Sequence, residues 1–160
     1  MFKIFNGLES YLIYSKKMKL GTHNSMSYLP LKKWYMYPFR FMAKCQKLSV
    51  DKQYKLGSRM FDIRISYDKY NKPEFRHGFI SFKGDVEKVL EYLNSTKAKV
   101  YVRLLLEVRN TKDLDRQESL FIKDCEKWKD NYKGIVFFCG RRKFDWEYVY
   151  KFKVNDIDII

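Results

Sequence analysis

The sequence is short of the residues that staple or break a chain. Its three cysteines, Cys45, Cys125 and Cys139, are an odd number set far apart, with no CxxC pair and no histidine at ligand spacing. That excludes a disulfide framework and a zinc module and points to a reducing compartment. Three prolines and seven glycines exclude collagen-like and linker-dominated architectures. No apolar run approaches the roughly 20 residues of a membrane span. Residues 1–19 are interrupted by Lys3 and Glu9 and lack a sustained apolar stretch, so they do not read as a signal peptide. The expectation is a cytoplasmic or peripheral membrane protein.

Acidic residues are also scarce. Nineteen Asp and Glu stand against 33 Lys and Arg, giving a net charge of +14. Within residues 1–60, 12 basic side chains face only Glu9 and Asp51. An anionic partner is therefore expected at the first part of the chain, whether a phosphorylated small molecule, a lipid headgroup or nucleic acid. What is abundant is apolar surface: 46% hydrophobic and 18% aromatic residues in 160 are enough for one folded domain and exclude a disordered chain.

Hydrophobic spacing predicts alternating strands and helices. Residues 18–21 form a short strand and 22–31 a loop, followed by an aromatic-rich helix over 34–48 in which Phe41, Met42, Cys45 and Leu48 recur at helical spacing. The aromatic run from Trp34 to Phe41 is expected in the core, the other reading being a membrane interface beside Lys32 and Lys33. Ser49 caps a short helix that Gly57 ends. Residues 60–67 alternate, with Phe61, Ile63 and Ile65 on one face and Asp62, Arg64 and Ser66 on the other. Further strands are expected at 75–82, 100–108 and 135–139 and within 146–160. Helices are expected at 85–94 and around Phe121, Cys125, Trp128 and Tyr132. Strands separated by helices argue for an α/β fold with a mostly parallel sheet or barrel.

Only two histidines occur, and both sit beside strands. His23 lies in GTHNS (21–25), His77 in Arg76-His77-Gly78, and Asp62 and Arg64 share the polar face between them. Two imidazoles, a carboxylate that can hold a tautomer and a guanidinium that can bind two phosphate oxygens describe general acid–base phosphoryl transfer. Arg103 and Glu107 on the next strand read as an interior ion pair. Arg103 and Arg142 are also candidate ligand residues, as is Asn24.

GTHNS, Trp34, Cys45-Gln46, Gln53, Leu56-Gly57, the run from Arg59 to Arg64 and His77-Gly78 resemble, in order and spacing over residues 18–84, the X region of phosphatidylinositol-specific phospholipase C. A weaker match continues through 102–107 and 134–142. The resemblance implies a distorted TIM-like (β/α) barrel, of which this length supplies about the first five strands. It implies cleavage of phosphatidylinositol-type lipids to diacylglycerol and a cyclic inositol phosphate. His23 would be the general base, His77 the general acid, Arg64 the stabiliser of the phosphate oxygens, and Asp62 the residue orienting an imidazole.

No cofactor is expected. Calcium takes six to eight oxygens, which Asn24 and Asp62 cannot supply, and Arg64 stands where calcium-dependent relatives place the cation. Two departures from the bacterial pattern stand out: Asn24 replaces an aspartate, and neither Asp156 nor Asp158 matches the carboxylate that family members place beside the first histidine. An inactive half-barrel that binds phosphoinositide headgroups or an anionic membrane is the alternative. A barrel ended near its fifth strand would also present an open edge to a second copy or to the missing half. Nucleic acid is disfavoured as a partner, since no helix-turn-helix, zinc-finger or RNP-like pattern is present.

Overall fold

The structure is a computed structural model that describes residues 3–4, 10–13, 19–108 and 111–141. Four strands run parallel in the order of the chain: β3 (Lys19–Thr22), β4 (Ser58–Tyr67), β7 (Val100–Leu106) and β8 (Ile135–Arg141). Two short N-terminal strands, β1 (Lys3–Ile4) and β2 (Ser10–Ile13), extend this sheet antiparallel beyond β3. A hairpin of β5 (Pro73–His77) and β6 (Ile80–Ser81) joins β4 antiparallel at its C-terminal end. The helices are α1 (Val50–Lys55), α2 (Val86–Asn94) and α3 (Leu114–Asn131). The described residues form an eight-stranded open sheet, so the expected barrel is present as a parallel segment of four strands and not as a closed cylinder.

β4 organises the molecule. Phe61, Ile63 and Ile65 are fully buried and belong to one apolar cluster with Val102, Leu104 and Leu106 of β7, Leu90 and Leu93 of α2, and Phe121, Cys125 and Trp128 of α3. Asp62, Arg64 and Ser66 are buried as well. A strand with one apolar and one charged buried face is sustainable only if those charges are paired, because an isolated buried ion is far too costly. β7 occupies one edge of β4 along its middle. β3 and β5 share the other, β3 over Ser58 to Phe61 and β5 over Ile65 to Tyr67. In the space between them the backbone carbonyl of Asp62 accepts the Ser25 N–H at 2.7 Å, which pulls the loop after β3 onto the sheet.

α2 begins as its sequence suggests, with the Asp85 side chain accepting from the Glu87 and Lys88 backbone N–H groups. Three expectations are corrected. The helix expected over 34–48 is a 3-10 helix at Trp34–Met42 followed by loop. Pro38 inside it removes a backbone donor and disfavours a continuous α-helical ladder. That segment buries none of its residues: Trp34 is 82% and Phe41 79% exposed, so the aromatic run is not core. The strand expected over 75–82 is split into β5 and β6 by Gly78, whose φ of 61° turns the chain directly after His77. The strands expected within 146–160 lie outside the described residues, as does Arg142.

Candidate active site

The loop after β3 is clamped from three sides. Gln46 Nε2 donates to the His23 carbonyl at 2.9 Å, and Gln53 Nε2 donates to the Ser25 carbonyl at 2.8 Å. The Ser27 hydroxyl accepts the backbone N–H of both Cys45 (3.0 Å) and Gln46 (2.8 Å). Gln46 and Gln53 thus have a positioning task that no periodicity announces: they fix the backbone that carries His23. Asn24 adopts φ 43°, and its backbone N–H donates to Asp62 Oδ2 at 3.1 Å. Its side chain is buried, and its amide nitrogen has no hydrogen-bond partner among the described residues.

Asp62 is the electrostatic hub. Its Oδ2 lies 3.1 Å from His23 Nδ1, 3.2 Å from Arg64 Nε and 3.1 Å from Arg64 Nη2. Burial disfavours its charge, but His23, Arg64 and Arg103 outweigh that and hold the carboxyl well below the usual range. Arg103 stands in register with Asp62 on the neighbouring strand. His23 therefore has a carboxylate partner, Asp62, within the described residues, while Asp156 and Asp158 lie outside them. Burial alone would lower the His23 pKa, yet the bonds to Asp62 and Cys45 raise it to about 9. With Nδ1–H directed at Asp62, Nε2 is the unprotonated nitrogen of the neutral ring.

Arg64 reaches across the site. Its Nη2 is 3.1 Å from both ring nitrogens of His23, so neither nitrogen alone is its partner, and its Nη1 is 3.7 Å from Glu107 Oε2. Glu107, read from the sequence as half of an interior ion pair with Arg103, faces Arg64 and, through Oε1, accepts the backbone N–H of Gly78 in the turn that carries His77. A buried carboxylate just past the end of β7 thereby ties the arginine and the second histidine into one frame.

His77 Nδ1–H donates to the Ala43 carbonyl at 3.1 Å, with Cys45 Sγ at 3.8 Å from the same nitrogen. The two imidazole rings meet edge to face, with centroids 6.3 Å apart and planes at 84°. His23, Asp62, Arg64 and His77 are thus drawn together at the C-terminal side of the parallel strands, the edge where βα loops build active sites. Among the described residues no group of three or more His, Cys, Asp or Glu is placed to hold a metal ion. A cavity of about 930 Å³ opens elsewhere, beside Tyr67, Arg76 and Gln117. Two of its cations are engaged by its own carboxylates, Lys32 with Glu74 and Arg116 with Asp113, each at 2.7 Å, and Lys33 and Lys69 lie over the rings of Tyr35 and Tyr70. The convergent chemistry lies with the histidines and not there.

No family model and no curated protein matches the chain. Among solved structures it is similar to the phosphatidylinositol-specific phospholipase C of Listeria monocytogenes, with a TM-score of 0.50 and 20% identity over 74% of this chain and 49% of that one. A mutant of the phosphatidylinositol-specific phospholipase C of Staphylococcus aureus aligns with a TM-score of 0.47 and 21% identity, over 76% of this chain and 46% of that one. The chain spans about half the length of each. At this identity the likeness is one of architecture: the chain has a fold similar to that of a bacterial phosphatidylinositol-specific phospholipase C, over about half of that enzyme's length.

Proposed function

We propose that the chain is a phosphodiesterase of the phospholipase C type, which cleaves phosphatidylinositol-type lipids to diacylglycerol and a cyclic inositol phosphate. The observation that carries this reading is the pair of imidazoles 6.3 Å apart with a buried guanidinium against one of them. Both rings can then reach one phosphodiester. His23 Nε2 takes the proton of the inositol 2-hydroxyl as that oxygen attacks phosphorus. His77 gives a proton to the departing glycerol oxygen. Arg64 meets the charge that grows on the non-bridging oxygens, a task for which its planar, always-charged fork is suited. Asp62 keeps His23 in the tautomer that leaves Nε2 reactive and balances the imidazolium once formed.

Product analysis tests this directly. Incubation with phosphatidylinositol in mixed micelles should release diacylglycerol and cyclic inositol phosphate at the same rate with or without EDTA. Headgroup binding without turnover would favour the inactive half-barrel instead.

The partner surface follows from the exposed aromatic segment. Trp34, Tyr35, Tyr37, Phe39 and Phe41 are exposed, and Lys33, Lys44 and Lys47 stand exposed around them. Aromatic rings at headgroup depth ringed by lysines suit an anionic bilayer, to which each nearby cation adds about 1 kcal/mol. The segment leads directly into Ala43 and Cys45, the residues against His77, so a bilayer seated there delivers lipid to the site. Replacing Trp34 and Phe41 together with alanine should weaken sedimentation with phosphatidylserine-containing vesicles by roughly tenfold or more. Hydrolysis of a soluble headgroup phosphodiester should be unaffected; equal vesicle binding by both proteins would show that membrane contact is made elsewhere.

A further inference from the structure

Cys45 is the one cysteine of the three that is not buried, and it lies inside the site. Its backbone is fixed by the N–H bond to Ser27 Oγ, and its sulfur stands 3.8 Å from His77 Nδ1. Asn24 carries no charge, Asp62 is directed at His23 and Arg64, and Glu107 at Gly78 and Arg64. We propose that Cys45 is a positioning residue held as a thiolate, whose sulfur shares the Nδ1 proton of His77 with the Ala43 carbonyl. It leaves Nε2 to deliver the proton to the leaving oxygen and balances positive charge on the ring.

The thiol chemistry agrees with the geometry. Burial by itself pushes the Cys45 thiol up, but the bonds from His23 and His77 bring it down to about 6. A thiolate next to imidazolium is the arrangement in which cysteine is most reactive, although here the sulfur is proposed to act on the ring and not on substrate. The proposal rests on the catalytic reading above only for its consequence in turnover; the thiolate pair can be read without any lipid.

Iodoacetamide labelling followed by peptide mapping provides that reading. Labelling of Cys45 should reach half its maximal rate near pH 6, and in His77→Gln, which keeps a polar side chain at that position, the midpoint should rise by about a unit or more. A midpoint at the ordinary thiol value of about 8.5, or one that His77→Gln leaves in place, would overturn the proposal. In turnover, Cys45→Ser should lower kcat roughly tenfold with KM unchanged, and Cys45→Asp, which restores an anion, should recover part of the loss and of the pH profile. Full kcat in a well-folded Cys45→Ser would remove the positioning role. If labelling behaves as expected while the wild-type chain cleaves no phosphatidylinositol, the thiolate pair stands and the phospholipase reading fails.

Discussion

Alanine at His23 or at His77 is expected to lower cyclic inositol phosphate release by about 10²–10⁴-fold, the usual range for losing a positioned proton-transfer group. The double variant should be scarcely slower than either single one, because a base without its acid partner has little left to lose. KM should change little, since neither ring is needed to hold the headgroup. Arg64→Lys should also fall steeply: an ammonium cannot span Asp62, Glu107 and a phosphate from one planar group. Rates within a few-fold of wild type in His23→Ala would mean that proton transfer runs through other groups. Near wild-type turnover in Arg64→Lys would make the guanidinium purely structural.

Asp62→Asn should have the largest effect on stability. Asp62 is 1% exposed and holds both a buried arginine and a histidine, and breaking such a pair leaves an uncompensated charge costing about 3–5 kcal/mol. The pH dependence follows from the same contacts. His23 is raised from 6.5 to about 9 in the folded protein, so its contribution is fully present below pH 6.5 and is lost as pH rises through about 9. Asp62 is lowered, so its contribution is present above its unfolded value and is lost as pH falls. Thermal melts should show wild type losing stability between pH 6.5 and 9, on the order of 2 kcal/mol. Asp62→Asn should be flatter over that window. Activity should move oppositely, rising toward pH 9 as His23 becomes a base. In Asp62→Asn the rising limb should shift downward and its plateau fall. A pH-independent melting temperature in wild type would show that His23 and Asp62 are not coupled.

The parts of this fold legible in the sequence are those where one residue type repeats at a fixed period. β4 alternates strictly, and α2 and α3 carry their apolar residues at i, i+3 and i+4, so their faces follow from spacing alone. The aromatic segment's exposure is not legible because hydrophobicity alone does not distinguish a core segment from an exposed one, and only Pro38 argues against a regular α-helix. Gly78 sits inside a continuous strand-like run, so the turn at φ 61° is invisible without the hairpin partner. The short β1–β2 pairing with β3 leaves too few residues for a periodic signal. Within the site, the four central side chains could be named because their types are chemically conspicuous. Gln46, Gln53 and Glu107 could not be assigned their tasks, since each acts on the backbone or side chain of a residue 23 to 43 positions away.

The placement of Glu107 has a consequence for how the chain matures during synthesis. A nascent chain that has emerged only to the end of α2 already contains both histidines, Asp62 and Arg64, yet β4 then has one bare edge and its apolar face lacks β7 and α3. The turn at Gly78 has no acceptor for its N–H until residue 107 leaves the ribosome, and Arg64 lacks its second carboxylate until the same moment. Vectorial folding, at about 5–20 residues per second, therefore leaves the reactive groups assembled in sequence but unlocked in space for seconds. The segment that locks them supplies Glu107 as an anchor, while the side chains proposed to transfer protons are all translated earlier.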